Sequence, residues 1–203
     1  MKWASNLPQN HTLPKLIMKQ LLTSILFLFY FIISAPAQFV VTPNGLMTTE
    51  AGEKDYYVID VPGVSAADLY TKTIEYISNT FISPKDAISG SIENQLLTVT
   101  GIETIYYGFN VTYKLNYQFK DGRIRYDKPQ IISMRKYQDG VDMILTFIKP
   151  KMPLGAIWIF NKKGEVRGLG VPQYKKDLED LFNNLFNSYE GFIKNPLSTE
   201  EDW

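Results

Sequence analysis

From Tyr107 to Phe119 the chain alternates without a break. Tyr107, Phe109, Val111, Tyr113, Leu115, Tyr117 and Phe119 are large and apolar or aromatic, and Gly108, Asn110, Thr112, Lys114, Asn116 and Gln118 stand between them. Successive side chains of a strand point to opposite faces, whereas a helix would spread this pattern around its circumference. The segment therefore reads as one long strand with a buried odd-numbered face and a solvated even-numbered face. An antiparallel sheet commonly leaves one face in water, so covering elements are needed on the odd side only.

Asp121-Gly122 follows and predicts a two-residue hairpin turn, since both central residues of a type I′ turn need positive φ. The register then sets Lys120 opposite Arg123, Phe119 opposite Ile124 and Tyr117 opposite Tyr126. Aromatic and branched side chains meet on one face.

The flanking segments complete a sheet with helices. Tyr56-Tyr57-Val58-Ile59-Asp60-Val61 is a strand, stopped by Pro62-Gly63. Ser65 with Asp68 is a short version of the capping box. Behind it Leu69, Tyr70, Thr73, Ile74, Ile77 and Phe81 recur at helical spacing, predicting a helix from about Ala66 to Phe81. Ala87–Ile92 and Leu96–Ile105 read as strands around Glu93-Asn94-Gln95, and Ile131–Met134 extends the last strand past a break at Pro129. Tyr174, Leu178, Leu181, Phe182, Leu185, Phe186, Tyr189, Phe192 and Ile193 make one apolar stripe, opposite Asp177, Glu179, Asp180, Asn183 and Glu190. That pattern is a helix over about 174–193. Within 138–171 the signals are weaker: Val141–Ile148 is apolar without a clean period, and Ala156–Phe160 with Glu165–Val166 predicts a hairpin through 161–164.

The expected architecture is α+β: an antiparallel sheet of about five strands with two helices packed on one face, in the order β-α-β-β-β-β-α. One domain covers 56–194. A polar, turn-rich lead-in arm (38–55) precedes it and a short acidic tail (195–203) follows.

Residues 21–33 read LLTSILFLFYFII, with Lys19 before them, Ser34-Ala35-Pro36-Ala37 behind them and no acidic residue anywhere in 1–37. A positive n-region, a short apolar run and an A-x-A site describe a secretory signal. The run is shorter than the roughly 20 apolar residues of a spanning helix. The expectation is a signal peptide cleaved after Ala37, no stable membrane span thereafter, and a periplasmic or extracellular domain. Met18-Lys19-Gln20 would make an ordinary signal start, so either the n-region is long or the true start is Met18 with 1–17 a spurious N-terminal extension, the second being the preferred reading.

Cleavage removes Lys2, Lys15 and Lys19 and leaves 18 basic residues against 21 acidic, a net charge of about −3. Nucleic-acid binding needs concentrated basic charge, so no nucleic-acid partner is expected. The single histidine, His11, leaves with the signal, and there is no cysteine. Ser-His-Asp and Cys-His mechanisms are thereby excluded, as are His or Cys zinc sites. Asp86, Glu93 and Glu103 fall on or beside different strands rather than in a carboxylate pair. Gly168-Leu169-Gly170 before a helix is half a dinucleotide loop at most, with Pro172 suited to a helix start. Asp139-Gly140-Val141-Asp142 lacks the alternating acids and distal Glu of a calcium loop. Asn110-Val111-Thr112 is a glycosylation sequon in mid-strand. No metal or cofactor is expected.

The strand–helix–strands–helix order resembles a family of exported bacterial proteins, common in Bacteroidetes, classed as a domain of unknown function with a fold like the TATA-binding protein. The residues that carry the likeness are Tyr56–Gly63, the helix start Ser65–Tyr70, and Tyr113–Tyr126 around Asp121-Gly122-Arg123. In such proteins a V-x-G strand end, an S-x-x-x-L-Y helix and a D-G-R-Y-R-Y-like hairpin recur; here Ile124 stands where an aromatic is usual. The likeness covers roughly 55–135. It implies fold and export, carries over no catalytic residue, and implies nothing about DNA.

Two functional classes remain: a non-catalytic binding or structural module of the periplasm or cell envelope, and an enzyme built on carboxylates, Tyr or Lys. The candidate binding face is the wet side of the sheet, with Asn110, Thr112, Lys114, Asn116 and Gln118 on one strand and Arg123 and Arg125 beside them. Its hydrogen-bonding groups and three cations suit a polar or anionic envelope ligand or protein, such as a carboxylate-bearing glycan or an acidic protein edge. Plain solvation of an open face accounts for the same pattern.

Overall fold

The computed structural model describes residues 39–49, 54–151 and 154–195. The expected signal peptide and residues 196–203 of the expected tail lie outside them. In chain order the elements are β1 (Phe39–Thr42), β2 (Gly45–Thr48), β3 (Tyr56–Asp60), α1 (Ala66–Thr80), a single turn α2 (Pro84–Ala87), β4 (Ile88–Ile92), β5 (Leu96–Ile105), β6 (Phe109–Lys120), β7 (Arg123–Asp127), β8 (Gln130–Gln138), β9 (Val141–Thr146), β10 (Ala156–Trp158) and α3 (Val171–Lys194).

β6 is the spine of the sheet. It pairs with β5 along its length, from Leu96–Gln118 to Ile105–Phe109. Its other edge is shared, because β7 takes Tyr117–Lys120 and β8 takes Asn110–Lys114. The chain crosses from β7 to β8 through Lys128-Pro129, where proline cannot donate to the ladder. Here the sheet divides: β3 adds outside β7, and β9 then β10 add outside β8. The sheet therefore has eight strands, which corrects the expectation of about five. It is also mixed, since β10 runs parallel to β9 with Ala156 beside Ile144. The expected hairpin in 156–166 is reduced to one antiparallel bridge, Phe160–Val166.

The stretch expected as a lead-in arm contains β1 and β2, a hairpin of its own with Thr42 opposite Gly45. Phe39, Val41 and Leu46 are buried, because alternation on these short strands turns their apolar side chains into the core. Asn183 on α3 clamps the hairpin: Phe39 N donates to its Oδ1 at 2.6 Å, and its Nδ2 donates to Phe39 O at 3.1 Å.

Both long helices cover the odd-numbered face of β6. Phe182 meets Tyr113 edge to face at 5.5 Å, Tyr189 lies 4.7 Å from Tyr117, and Tyr70 meets Phe119 at 5.4 Å. Thr73 Oγ1 and the Tyr189 hydroxyl share a hydrogen bond of 2.8 Å, tying α1 to α3. Lys72 Nζ donates to the carbonyls of Ile193 and Asn195, satisfying the otherwise unpaired end of α3. Half of the expected capping box of α1 forms: Ser65 Oγ accepts from Asp68 N at 3.1 Å, while Asp68 Oδ2 accepts from the Ser65 hydroxyl at 2.6 Å rather than from its backbone N–H. Burial holds the hydroxyls of Tyr117, Tyr126 and Tyr189 well above the ordinary tyrosine range.

The two Asp-Gly turns part company. The β6–β7 register is as expected, Tyr117 opposite Tyr126 and Lys120 opposite Arg123, but only Gly122 has positive φ (76°). Asp121 serves instead as an acceptor, its Oδ1 taking the N–H of Ala66 at the start of α1 at 2.9 Å. Positive φ at both central positions occurs in the β8–β9 turn, at Asp139 (53°) and Gly140 (80°). Tyr107, expected on the buried face, lies outside β6 with φ 57° in a short turn and is exposed.

Candidate functional site

The residues singled out from the sequence do share one face, the side of the sheet opposite the helices. Asn110 and Lys114 are exposed there, and Thr112, Asn116 and Gln118 are half-buried by neighbouring strands. Arg123 and Arg125 are exposed on β7, beside Lys120 and Gln118 in register.

The pairing gives these groups partners that the sequence does not announce. Arg125 Nε donates to Asp127 Oδ1 at 2.6 Å, and its guanidinium lies 4.1 Å from the centre of the Tyr56 ring. Gln118 Nε2 donates to the second oxygen of Asp127 at 3.2 Å. Arg123 stands opposite Asp60 of β3. A further cation, Arg135 on β8, stands opposite Asn110 and lies 3.4 Å from Asp142. Sequence reasoning missed it by ending the strand at Met134; the polar–apolar alternation through Ser133, Met134 and Arg135 was the signal.

Neutral groups pair across strands as well. Thr98 Oγ1 donates to Asn116 Oδ1 at 2.9 Å, Thr104 Oγ1 to Asn110 Oδ1 at 2.8 Å, and Thr100 Oγ1 to Ser89 Oγ at 3.0 Å. Lys114 is different. It lies between Thr100 and Gln130 in register and has neither hydrogen bond nor ion pair to a described residue. The face thus carries Arg125 and Arg135 paired with carboxylates, while Lys114 and Lys120 on its central strand and Arg123 beside them have no ion pair among the described residues. Exposed Val58 and Ile102 add apolar surface, opposite Arg125 and Thr112 respectively.

Among the described residues no three acidic groups gather as metal ligands. No helix among them is long and apolar enough to cross a membrane.

No family model matches the chain, and no curated protein matches it. Two solved structures do. A DUF4468 family protein from Bacteroides ovatus is 15% identical, with a TM-score of 0.48 over 71% of this chain and 88% of that one. A TBP-like protein from Parabacteroides distasonis is 10% identical, with a TM-score of 0.51 over 69% of this chain and 91% of that one. The second description, a TBP-like protein, is that of the fold expected from the sequence. At this identity the likeness is one of fold, and the chain has the TBP-like α+β fold of the Parabacteroides protein.

Proposed function

We propose that the protein is an exported, non-catalytic binding module of the bacterial periplasm or cell envelope, and that it engages a polar, anionic partner through the helix-free face of its sheet. The observation that carries this reading is Lys114: an exposed ammonium on the central strand, without a counter-ion among the described residues and flanked by the hydroxyls and amides of Thr98, Thr100, Thr112 and Asn116. A carboxylate there gains a charge-assisted hydrogen bond, and the Thr112 hydroxyl and Asn116 Nδ2, whose protons are not committed to another described residue, are the neighbouring donors for its second oxygen. The acids of this face stand beside arginines rather than beside one another, which supports binding over carboxylate-pair hydrolysis.

Export rests on residues 1–37, and N-terminal sequencing of the secreted protein is expected to begin at Gln38. The face is tested by titrating poly-L-glutamate, a ring-free acidic chain, against the parent and the triple variant Lys114→Ala, Arg123→Ala, Arg125→Ala. Exposed substitutions without a partner cost under about 0.5 kcal/mol each, and Arg125 gives up an exposed ion pair and a cation–π contact worth about 1 kcal/mol each at most, so the variant folds. It is expected to lose binding; unchanged affinity in the folded variant removes this face from consideration.

A further inference from the structure

A second concavity lies where β10 and the loop after it lead into α3, with a volume of about 540 Å³. That is within the usual range for small-ligand sites. Its walls include Tyr107, Ile157, Trp158, Arg167, Val171 and Tyr174.

Arg167 is held in place before any ligand arrives. Its backbone N–H donates to Ile159 O at 2.9 Å, and its guanidinium carbon lies 4.2 Å from the centre of the Trp158 ring. One guanidinium nitrogen approaches Trp158 O at 3.5 Å, and no carboxylate among the described residues pairs with it. The remaining N–H edge of the fork is therefore uncommitted. Lys149 Nζ lies 5.7 Å from the same indole centre and adds to the positive potential. Among the lining residues there is no acid.

Tyr107 is 63% exposed in a positive-φ conformation that is costly for a bulky residue. Ring contacts to Tyr106 at 4.3 Å and Tyr174 at 6.4 Å hold it there. The concavity thus joins an aromatic surface to a stacked, unpaired guanidinium. Arg is suited to bidentate recognition of a carboxylate, and aromatic side chains take the apolar face of a ring.

We propose that this concavity binds a small carboxylate carried on a ring with an apolar face, the carboxylate on Arg167 and the ring against Tyr107 and Trp158. Aromatic acids and uronic acid sugars share this chemistry. The proposal is independent of the helix-free face.

The test titrates the full chain with phenylacetate and, separately, galacturonate, beside their uncharged counterparts methyl phenylacetate and galactose. Calorimetry gives affinity, and the indole N–H signal of Trp158 reports the site. At least one acid is expected to bind and shift that signal, and which one does so identifies the source of the ring. Its uncharged counterpart and the Arg167→Gln variant should each bind about tenfold more weakly or worse, while Lys162→Gln, a charge change in an exposed turn, changes nothing. The proposal is overturned if neither acid binds at about 10 mM, a concentration above the weakest useful affinities. It is equally overturned if acid and uncharged counterpart bind alike, or if folded Arg167→Gln binds as the parent does. Should Arg167→Gln fail to fold, the contrast between acid and counterpart on the unaltered chain decides.

Discussion

Gly101 sits on β5 directly opposite Tyr113 of β6, and Gly101→Ala tests how tightly the two strands and α3 are packed. A Cβ at Gly101 would lie 2.4 Å from both the hydroxyl oxygen and Cζ of Tyr113, and 2.7 Å from its Cε2. The ring has little room to withdraw, being fully buried and meeting Phe182 edge to face at 5.5 Å. Overpacking of this kind costs about 1–3 kcal/mol. Replacing glycine in a strand recovers about 0.5–1 kcal/mol of backbone entropy, so with an overlap this deep, at the upper end of that cost, the net loss is about 2 kcal/mol. In a urea titration with an m-value of about 1–3 kcal/mol/M, the midpoint should fall by roughly 0.7–2 M. The same substitution in a Tyr113→Leu background should cost nothing, because the colliding atoms are gone. An unchanged midpoint for Gly101→Ala, or an equal loss in both backgrounds, would show that Tyr113 does not occupy the space beside Gly101.

Two further outcomes follow from the core. Phe182→Ala removes a fully buried ring at the contact between α3 and the sheet and should cost about 3–5 kcal/mol, with half-buried Leu185→Ala costing less; a loss under about 1 kcal/mol at Phe182 would mean that α3 is not docked. At alkaline pH, Tyr117, Tyr126 and Tyr189 titrate above the ordinary value of 10.0 because burial disfavours the phenolate. A raised folded-state value means that their contribution is complete below about pH 10 and is lost above it, by about 1.4 kcal/mol per tyrosine per pH unit. Tyrosinate absorbance should therefore appear together with cooperative unfolding, and gradual ionisation of these tyrosines in a folded chain would contradict the packing described.

What was legible in the sequence was whatever one element displays alone. The alternation of β6 separates a buried from a wet face within twelve residues, the Ser65–Asp68 pair marks the start of α1, and the stripe of α3 is complete within the helix. The helix-free face was legible for the same reason, since it is the other half of the alternation. What escaped depends on pairings between distant segments. In β9 only Leu145 is buried, with Val141 and Asp142 exposed and the rest half-buried, so no alternation marks a core face, and β10 has 3 residues, too few for any period. β1 and β2 are short strands hidden among turn residues. The concavity beside Arg167 draws its walls from the turn before β6, from β10, from the loop after it and from the start of α3, and no local spacing joins these. The type I′ expectation failed at Asp121 because its carboxylate is engaged by the start of α1, an interaction 55 residues away.

The clasp between β1 and α3 bears on the order in which the domain is assembled. Phe39 and Asn183 are separated by 144 residues, and Val41 N reaches Glu179 Oε1 at 2.9 Å across a similar span. Synthesis presents the N-terminal strand long before its partner exists, and a two-stranded hairpin alone is at best marginal. Until α3 has been made, Phe39 lacks the Phe186 ring that it meets at 6.0 Å in the finished domain. Contacts this distant in sequence slow folding, so the two ends of the domain should gain protection from hydrogen exchange in one late step, after the β5–β6–β7 meander has formed. A chain interrupted before Glu179 would leave Phe39 only its ring contacts to Tyr57 and Tyr126, with the backbone N–H groups of Phe39 and Val41 deprived of their side-chain acceptors.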